Sequence, residues 1–175
     1  MVNLTIDGQS VSVPEGTTIL EAARAVGVRI PTLCFHPDQS IKANCRICMC
    51  KVGESRVLQA ACASPVYEGM TVDTRSPAVI EARKLNLQLL LANHPQDCLN
   101  CIRNGACQLQ DLAAEFYVRD NPFEIKTRRM EKDFSTPSLF RDPDKCILCR
   151  RCIEVCSVVQ TVNAYGMQGR GISSI

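Results

Sequence analysis

All but one of the twelve cysteines, together with one of the two histidines, fall into three tight groups. Cys34, Cys45, Cys48 and Cys62 follow C-x10-C-x2-C-x13-C. His94, Cys98, Cys101 and Cys107 follow H-x3-C-x2-C-x5-C, and Cys146, Cys149, Cys152 and Cys156 follow C-x2-C-x2-C-x3-C. Each group forces its stretch of backbone to curl around a common centre, which restricts the fold more than any hydrophobic pattern in the chain. Aromatic residues make up only 5% and tryptophan is absent, so conventional cores are short of bulk and bound metal is expected to supply part of the cohesion. Disulfides are the competing use of the thiols. The opening MVNLTIDGQSVSV shows no basic segment followed by an apolar one, hence no secretory signal, and cysteines separated by two residues favour chelation over bridging. A reducing, cytoplasmic setting is the expectation. No apolar run approaches the length of a membrane span, and a net charge of +2 creates no general pull toward nucleic acid or an anionic membrane.

Local patterns place these groups on an α+β frame. Val2, Leu4 and Ile6 alternate, Asp7-Gly8 is a hairpin turn, and Val11 and Val13 continue in a second strand. Pro14-Glu15-Gly16 breaks the pattern. Thr17 or Thr18 can then cap a helix, with Glu21 answering from its first turn; Ile19, Leu20, Ala23 and Val26 form the apolar face, and Gly27 ends it. Hairpin, helix and cysteine-bearing loop begin a β-grasp sheet, completed by strands near Met49 to Val52 and Met70 to Thr74. Ser76-Pro77 reads as cap and first residue of a longer helix, with Val79, Ala82, Leu85, Leu89 and Leu90 as its apolar face up to Asn93. Leu109 to Phe116 is a further short helix. A polar, proline-bearing arm over 118–143, with a basic pair at Arg128-Arg129, connects to the last thiol-rich segment and a Gly-rich tail. The division expected is 1–76, a β-grasp domain of the ferredoxin type carrying the first group; 77–127, a small helical domain carrying the His and Cys group; and 128–175, a partial ferredoxin-like domain carrying the third.

The donor sets suggest, but do not by themselves decide, which metal each group takes. The first group is borne on a long loop, as suits a two-iron cluster whose sulfurs need backbone N–H donors; a structural zinc with four thiolates is the alternative. Cys50, on an expected strand, reads as a small buried apolar side chain, and His36 as a loop residue near this group. The second group suits a cubane or a zinc site with three cysteines and one histidine, while His94 could instead cap the end of its helix. If His94 binds iron, a neutral imidazole replaces an anionic thiolate and the potential rises. The third group offers three thiolates for a cubane, with three readings open for the fourth: Cys156 bends back, or serves another cluster, or the chain continues. It is followed by Ser157 where two-cluster ferredoxins have proline.

These motifs, carried by CFHPDQSIKANCRIC, LLLANHPQDCLNC, DKCILCRRC and VCSVVQT, resemble the N-terminal region of the large iron–sulfur subunit of respiratory complex I. They resemble still more the same region of the catalytic subunit of multimeric, NAD(P)-linked iron-only hydrogenases; related modules occur in NAD-linked formate dehydrogenases and electron-bifurcating complexes. The resemblance implies one 2Fe–2S cluster at Cys34, Cys45, Cys48 and Cys62, a 4Fe–4S cluster at His94, Cys98, Cys101 and Cys107, and a second 4Fe–4S site using Cys146, Cys149 and Cys152. It assigns Cys156 to a neighbouring cluster whose other ligands lie in a motif this sequence lacks, along with any catalytic domain. The cofactor count implied is therefore one 2Fe–2S and one to two 4Fe–4S clusters.

The function expected is electron relay in a hetero-oligomeric NAD(P)-linked oxidoreductase, between a flavoprotein subunit that handles NAD(P)H and other iron–sulfur subunits. The cofactors do the redox chemistry and the protein fixes their order and potentials. No serine–histidine, paired-carboxylate or phosphate-loop pattern suggests a catalytic substrate site in the chain. The alternative is a zinc-stabilised structural or nucleic-acid-binding adaptor. It would be favoured by a basic face with interleaved aromatics, which the isolated pairs Arg128-Arg129 and Arg150-Arg151 do not make.

Overall fold

A computed structural model describes residues 1–124, 130–171 and 174. The chain divides into two compact units, Met1–Asn86 and Leu87–Ile175. Of the basic pairs noted above, Arg128-Arg129 lies outside the described residues.

In the first unit the hairpin forms as the alternation requires. β1 (Val2–Ile6) pairs antiparallel with β2 (Gln9–Val13), Val2 opposite Val13 and Ile6 opposite Gln9. The turn runs through Asp7 and Gly8, both at positive φ (47° and 83°), a geometry that Asp and Gly tolerate and that matches the twist of the flanking strands. Asp7 then does a second job: its carboxylate accepts from the Thr74 N–H at 2.7 Å and the Thr74 hydroxyl at 2.6 Å, tying the turn to the end of the last strand. α1 (Ile19–Ala25) begins at Thr18, whose hydroxyl accepts from the Glu21 N–H while Glu21 accepts from the Thr18 N–H, a reciprocal capping box. Ile19, Leu20, Ala22 and Ala23 are buried, and Gly27 turns the chain out of the helix at φ 74°.

β3 (Met49–Val52), β4 (Gln59–Ala60) and β5 (Met70–Asp73) complete a five-stranded sheet in the order β2-β1-β5-β3-β4. β5 lies parallel to β1, Leu4 opposite Met70, and antiparallel to β3. β4 is a correction to the sequence reading, which placed no strand there: two residues are too few to show alternation. The core joins Leu4, Ile6, Ile19, Leu20, Met70 and Val72 to Cys48, Cys50 and Cys62, so three thiols belong to the apolar interior of this unit.

α2 (Pro77–Ala92) starts where Ser76-Pro77 indicates. The Ser76 hydroxyl, however, is buried without a hydrogen bond; Asp73 accepts from the N–H groups of Arg75 and Ser76, both at 2.8 Å, and holds the entry instead. The expected apolar face also needs correcting. Leu85 and Leu89 are each 43% exposed, whereas Val79, Arg83, Leu87 and Gln88 are buried. The polar pair goes inside because each satisfies a backbone carbonyl: Arg83 Nη2 donates to Met49 O at 2.7 Å and Gln88 Nε2 to Asp120 O at 3.0 Å.

In the second unit α3 (Gln108–Glu115) buries Leu109 and Leu112. Asn121 returns a bond to Gln88 O at 2.8 Å. The arm expected to be plain connection contains a small closed loop: Asp133 and Arg141 exchange backbone bonds at 2.9 Å, and Phe134 stacks on Phe140. A 3-10 turn at Pro143–Lys145 leads to α4 (Arg151–Glu154), which widens into a π-helical turn over Val155–Val159. Among the described residues no helix is long and apolar enough to cross a membrane.

Candidate iron–sulfur centres

None of the twelve cysteines is in a disulfide. Cys34, Cys48 and Cys62 are buried and Cys45 half-buried, brought together from the loop after α1, the entry to β3 and the turn after β4. Cys48 Sγ lies 3.4 Å from Cys62 Sγ. The four thiols act on one another as two hydrogen-bonded pairs. Within each pair the mutual contact holds one thiol, Cys34 or Cys48, below the ordinary thiol range and pushes its partner, Cys45 or Cys62, up. Further backbone N–H groups point at sulfur: those of Asn44 and Cys45 at Cys34, and that of Ile47 at Cys45. Ala43 and Arg46 adopt positive φ (49° and 54°), which turns successive N–H groups inward as a nest for an anion. Thiols gathered in a largely buried pocket and ringed by inward N–H donors suit a polynuclear anionic cluster.

Neighbouring side chains anchor the loop. Phe35 packs on the core, and the Arg24 guanidinium sits 4.8 Å from its ring centre. His36 is held locally, its Nδ1 accepting from the Asp38 N–H at 3.3 Å, as a loop residue should be. Cys50 is fully buried, points its thiol at Gln59 O at 3.4 Å, and is pushed up to about 12, chiefly by burial. It behaves as the neutral apolar residue the sequence suggests. The Arg83 and Asn86 contacts to this loop had no signal in the sequence: a polar residue on a helix does not declare which distant carbonyl it will meet.

The second group converges as well. His94, Cys98, Cys101 and Cys107 line one small cavity together with Arg103, Gln110 and Lys145. His94 follows α2 directly, its Nδ1 buried. Cys98 to Cys107 is a run of turns, with Gly105 at φ 74° and the Arg103 N–H directed at Cys101 Sγ, 3.5 Å away. Lys145, adjacent to Cys146, was not foreseen at this cavity. Cys107 opens α3 without a side-chain cap, which leaves its thiol for the cavity.

In the third group Cys146 and Cys152 are exposed, Cys149 is half-buried and Cys156 is buried. The Leu148 N–H meets Cys146 Sγ at 3.4 Å, and Leu148 and Arg150 both hold positive φ (57° and 61°). Cys156 stands apart in character: it lies in the π-helical turn, and its Sγ accepts from the Ala164 N–H at 3.1 Å. The turn in which an N–H bonds to the sulfur two residues earlier thus recurs in all three groups, at Cys45, Cys101 and Cys146. Among the described residues no three His, Cys, Asp or Glu side chains are arranged to hold a single metal ion.

Comparison with known proteins gives the same order of sites. Residues 1–77 match the 2Fe-2S iron-sulfur cluster binding domain, residues 83–122 the NADH-ubiquinone oxidoreductase-G iron-sulfur binding region, and residues 139–158 the 4Fe-4S binding domain. The chain is 42% identical over its whole length to the NADP-reducing hydrogenase subunit HndD of Solidesulfovibrio fructosivorans, covering 31% of that protein. It is 40% identical over 98% of its length to the NADH-ubiquinone oxidoreductase 75 kDa subunit of Reclinomonas americana, covering 25% of it. A chain in the crystal structure of an NAD+-reducing NiFe-hydrogenase in the H2-reduced state superposes with a TM-score of 0.92 at 35% identity, over 99% of this chain and 73% of that one. The chain spans less than a third of the length of the two sequence relatives.

Proposed function

This chain belongs to the iron–sulfur family shared by NAD(P)-linked hydrogenases and complex I, and from that premise we propose that it is an electron relay between a flavoprotein that handles NAD(P)H and a further redox centre. It binds one 2Fe–2S and one to two 4Fe–4S clusters. In our assignment Cys34, Cys45, Cys48 and Cys62 ligate the two-iron cluster, and His94, Cys98, Cys101 and Cys107 a cubane. Cys146, Cys149 and Cys152 supply three ligands of a second cubane; Cys156, turned to the Ala164 N–H, serves as its fourth ligand or that of a neighbouring cluster. When bound, the clusters accept and pass single electrons. The chain's own side chains ligate, exclude water and direct N–H groups at sulfur, which are the controls a protein has over potential.

The observation that carries this reading is the convergence of four thiols at the first site under inward N–H donors, three of them buried and Cys48 Sγ 3.4 Å from Cys62 Sγ. The five-stranded sheet with a parallel β1–β5 pair and α1 beside it supports a β-grasp domain at 1–76; a helical His-Cys domain over 77–127 and a partial ferredoxin-type segment from 128 complete the division. We further propose a cytoplasmic hetero-oligomer with the flavoprotein as first partner; a relative described as a hydrogenase subunit supports the hetero-oligomer. Iron and acid-labile sulfide assays on oxygen-protected protein test the assignment. Brown protein with a two-iron signal on reduction is the expected result; colourless protein with stoichiometric zinc would establish the adaptor alternative instead.

A further inference from the structure

The two α2 contacts at the first site have a shared geometry. Arg83 and Asn86 are three apart, so they lie on one face of the helix. Arg83 Nη2 donates to Met49 O at 2.7 Å, and Asn86 Nδ2 donates to Arg46 O at 2.9 Å. Met49 directly follows Cys48, and Arg46 directly follows Cys45. The helix therefore grips the C-x2-C knuckle at the carbonyl after each of its two ligands. Arg46, at φ 54°, is the residue whose unusual backbone lets the Ile47 N–H reach Cys45, so Asn86 holds the knuckle at the point where it is strained.

Arg83 adds more than a bond. It is only 5% exposed, and a guanidinium stays protonated at any working pH. Its charge is thus desolvated, weakly screened by salt, and fixed one residue from a cluster ligand. A one-electron reduction makes a cluster more negative by one unit, so a nearby fixed cation favours the reduced form. Asn86 is neutral and has no such effect.

We propose that Arg83 and Asn86 are positioning residues for the two-iron site, with Arg83 also setting its reduction potential upward through its buried charge. This rests on the assignment of Cys34, Cys45, Cys48 and Cys62 as ligands of that cluster. The test is an EPR-monitored redox titration of the full chain, purified without oxygen, alongside Arg83→Met, Arg83→Lys and Asn86→Ala. Arg83→Met should move the two-iron midpoint to more negative potential with iron content retained. Arg83→Lys, which keeps the charge, should hold it near the parent value. Asn86→Ala should leave the midpoint in place and speed amide exchange at Ile47 and Cys48. An unshifted midpoint in Arg83→Met overturns the charge role, as does an equal shift in Arg83→Lys; should the methionine variant fail to assemble, Arg83→Gln, neutral but still able to donate to Met49 O, takes its place, with the same negative shift expected and an unshifted midpoint overturning the charge role. Unchanged exchange in Asn86→Ala overturns the positioning role. A parent protein with no two-iron signal would instead refute the ligand assignment on which both roles depend.

Discussion

His94 emerges from the end of α2 into the cavity shared with Cys98, Cys101 and Cys107, and its chemistry differs from theirs in one respect: a ligating imidazole is neutral, a ligating cysteine anionic. The sulfur-ligated alternative would put one more negative charge on the cubane and oppose its reduction. His94→Cys should therefore keep a four-iron cluster while moving its midpoint to more negative potential, measured by redox titration; an unmoved midpoint would remove His94 from the ligand set. At the first site, Cys45→Ser replaces a thiolate with a hydroxyl that binds iron weakly. On the proposed ligand assignment the two-iron EPR signal should disappear while the cubane signals remain; a two-iron signal that persists would remove Cys45 from that ligand set. The residue scale is also where reading by sequence went furthest. Spacing alone grouped the ligand candidates, because a chelating loop is a local object. It gave no hint of Lys145 at the His94 cavity or of the Ala164 N–H on Cys156, which depend on how the chain folds back.

α1 and α2 show why some elements are legible and others are not. The start of α1 was readable because a capping box is a four-residue pattern whose partners lie inside it. Thr18→Ala should cost about 1 kcal/mol in a thermal or denaturant melt. The bonds from the Thr18 N–H and hydroxyl hold the Glu21 carboxyl below its ordinary value, with Arg24 assisting. A carboxyl depressed in the folded state contributes stability above its unfolded value of 4.5, and that contribution is lost as pH falls through the folded value. The gap in melting temperature between the parent and Thr18→Ala should accordingly be full near neutrality and shrink in acid; a gap that stays constant with pH would contradict the capping role of Glu21. α2 was only half legible. Its ends follow from Pro77 and the run up to Asn93, but its buried face does not, because hydrophobicity misjudges Arg83 and Gln88. Both are inside by virtue of carbonyls far along the chain, and Leu85 and Leu89 are left at the surface.

On the scale of the whole molecule, the two units differ in what can hold them together without iron. The first has a five-stranded sheet, α1 and a continuous apolar core. The second has only Leu87, Ala92, Leu109 and Leu112, with Cys156 and Pro143, as buried apolar or near-apolar side chains among the described residues. Fully burying a leucine stabilises by about 1.5–3 kcal/mol, while ordering each residue costs about 1–2 kcal/mol, so so few side chains cannot by themselves order a unit of this length. Metal binding is folding energy in such a case. Exposed Cys146 and Cys152 and the positive-φ residues Leu148 and Arg150 then make sense as backbone kept in shape by what its thiolates bind. Anaerobic removal of iron by a chelator, followed by hydrogen–deuterium exchange, should strip protection from α3 and the 146–159 segment first, while β1, β2 and β5 retain theirs. Loss of protection in the sheet before the helices, or at the same rate, would mean that the first unit too depends on its cluster for its core, through Cys48 and Cys62.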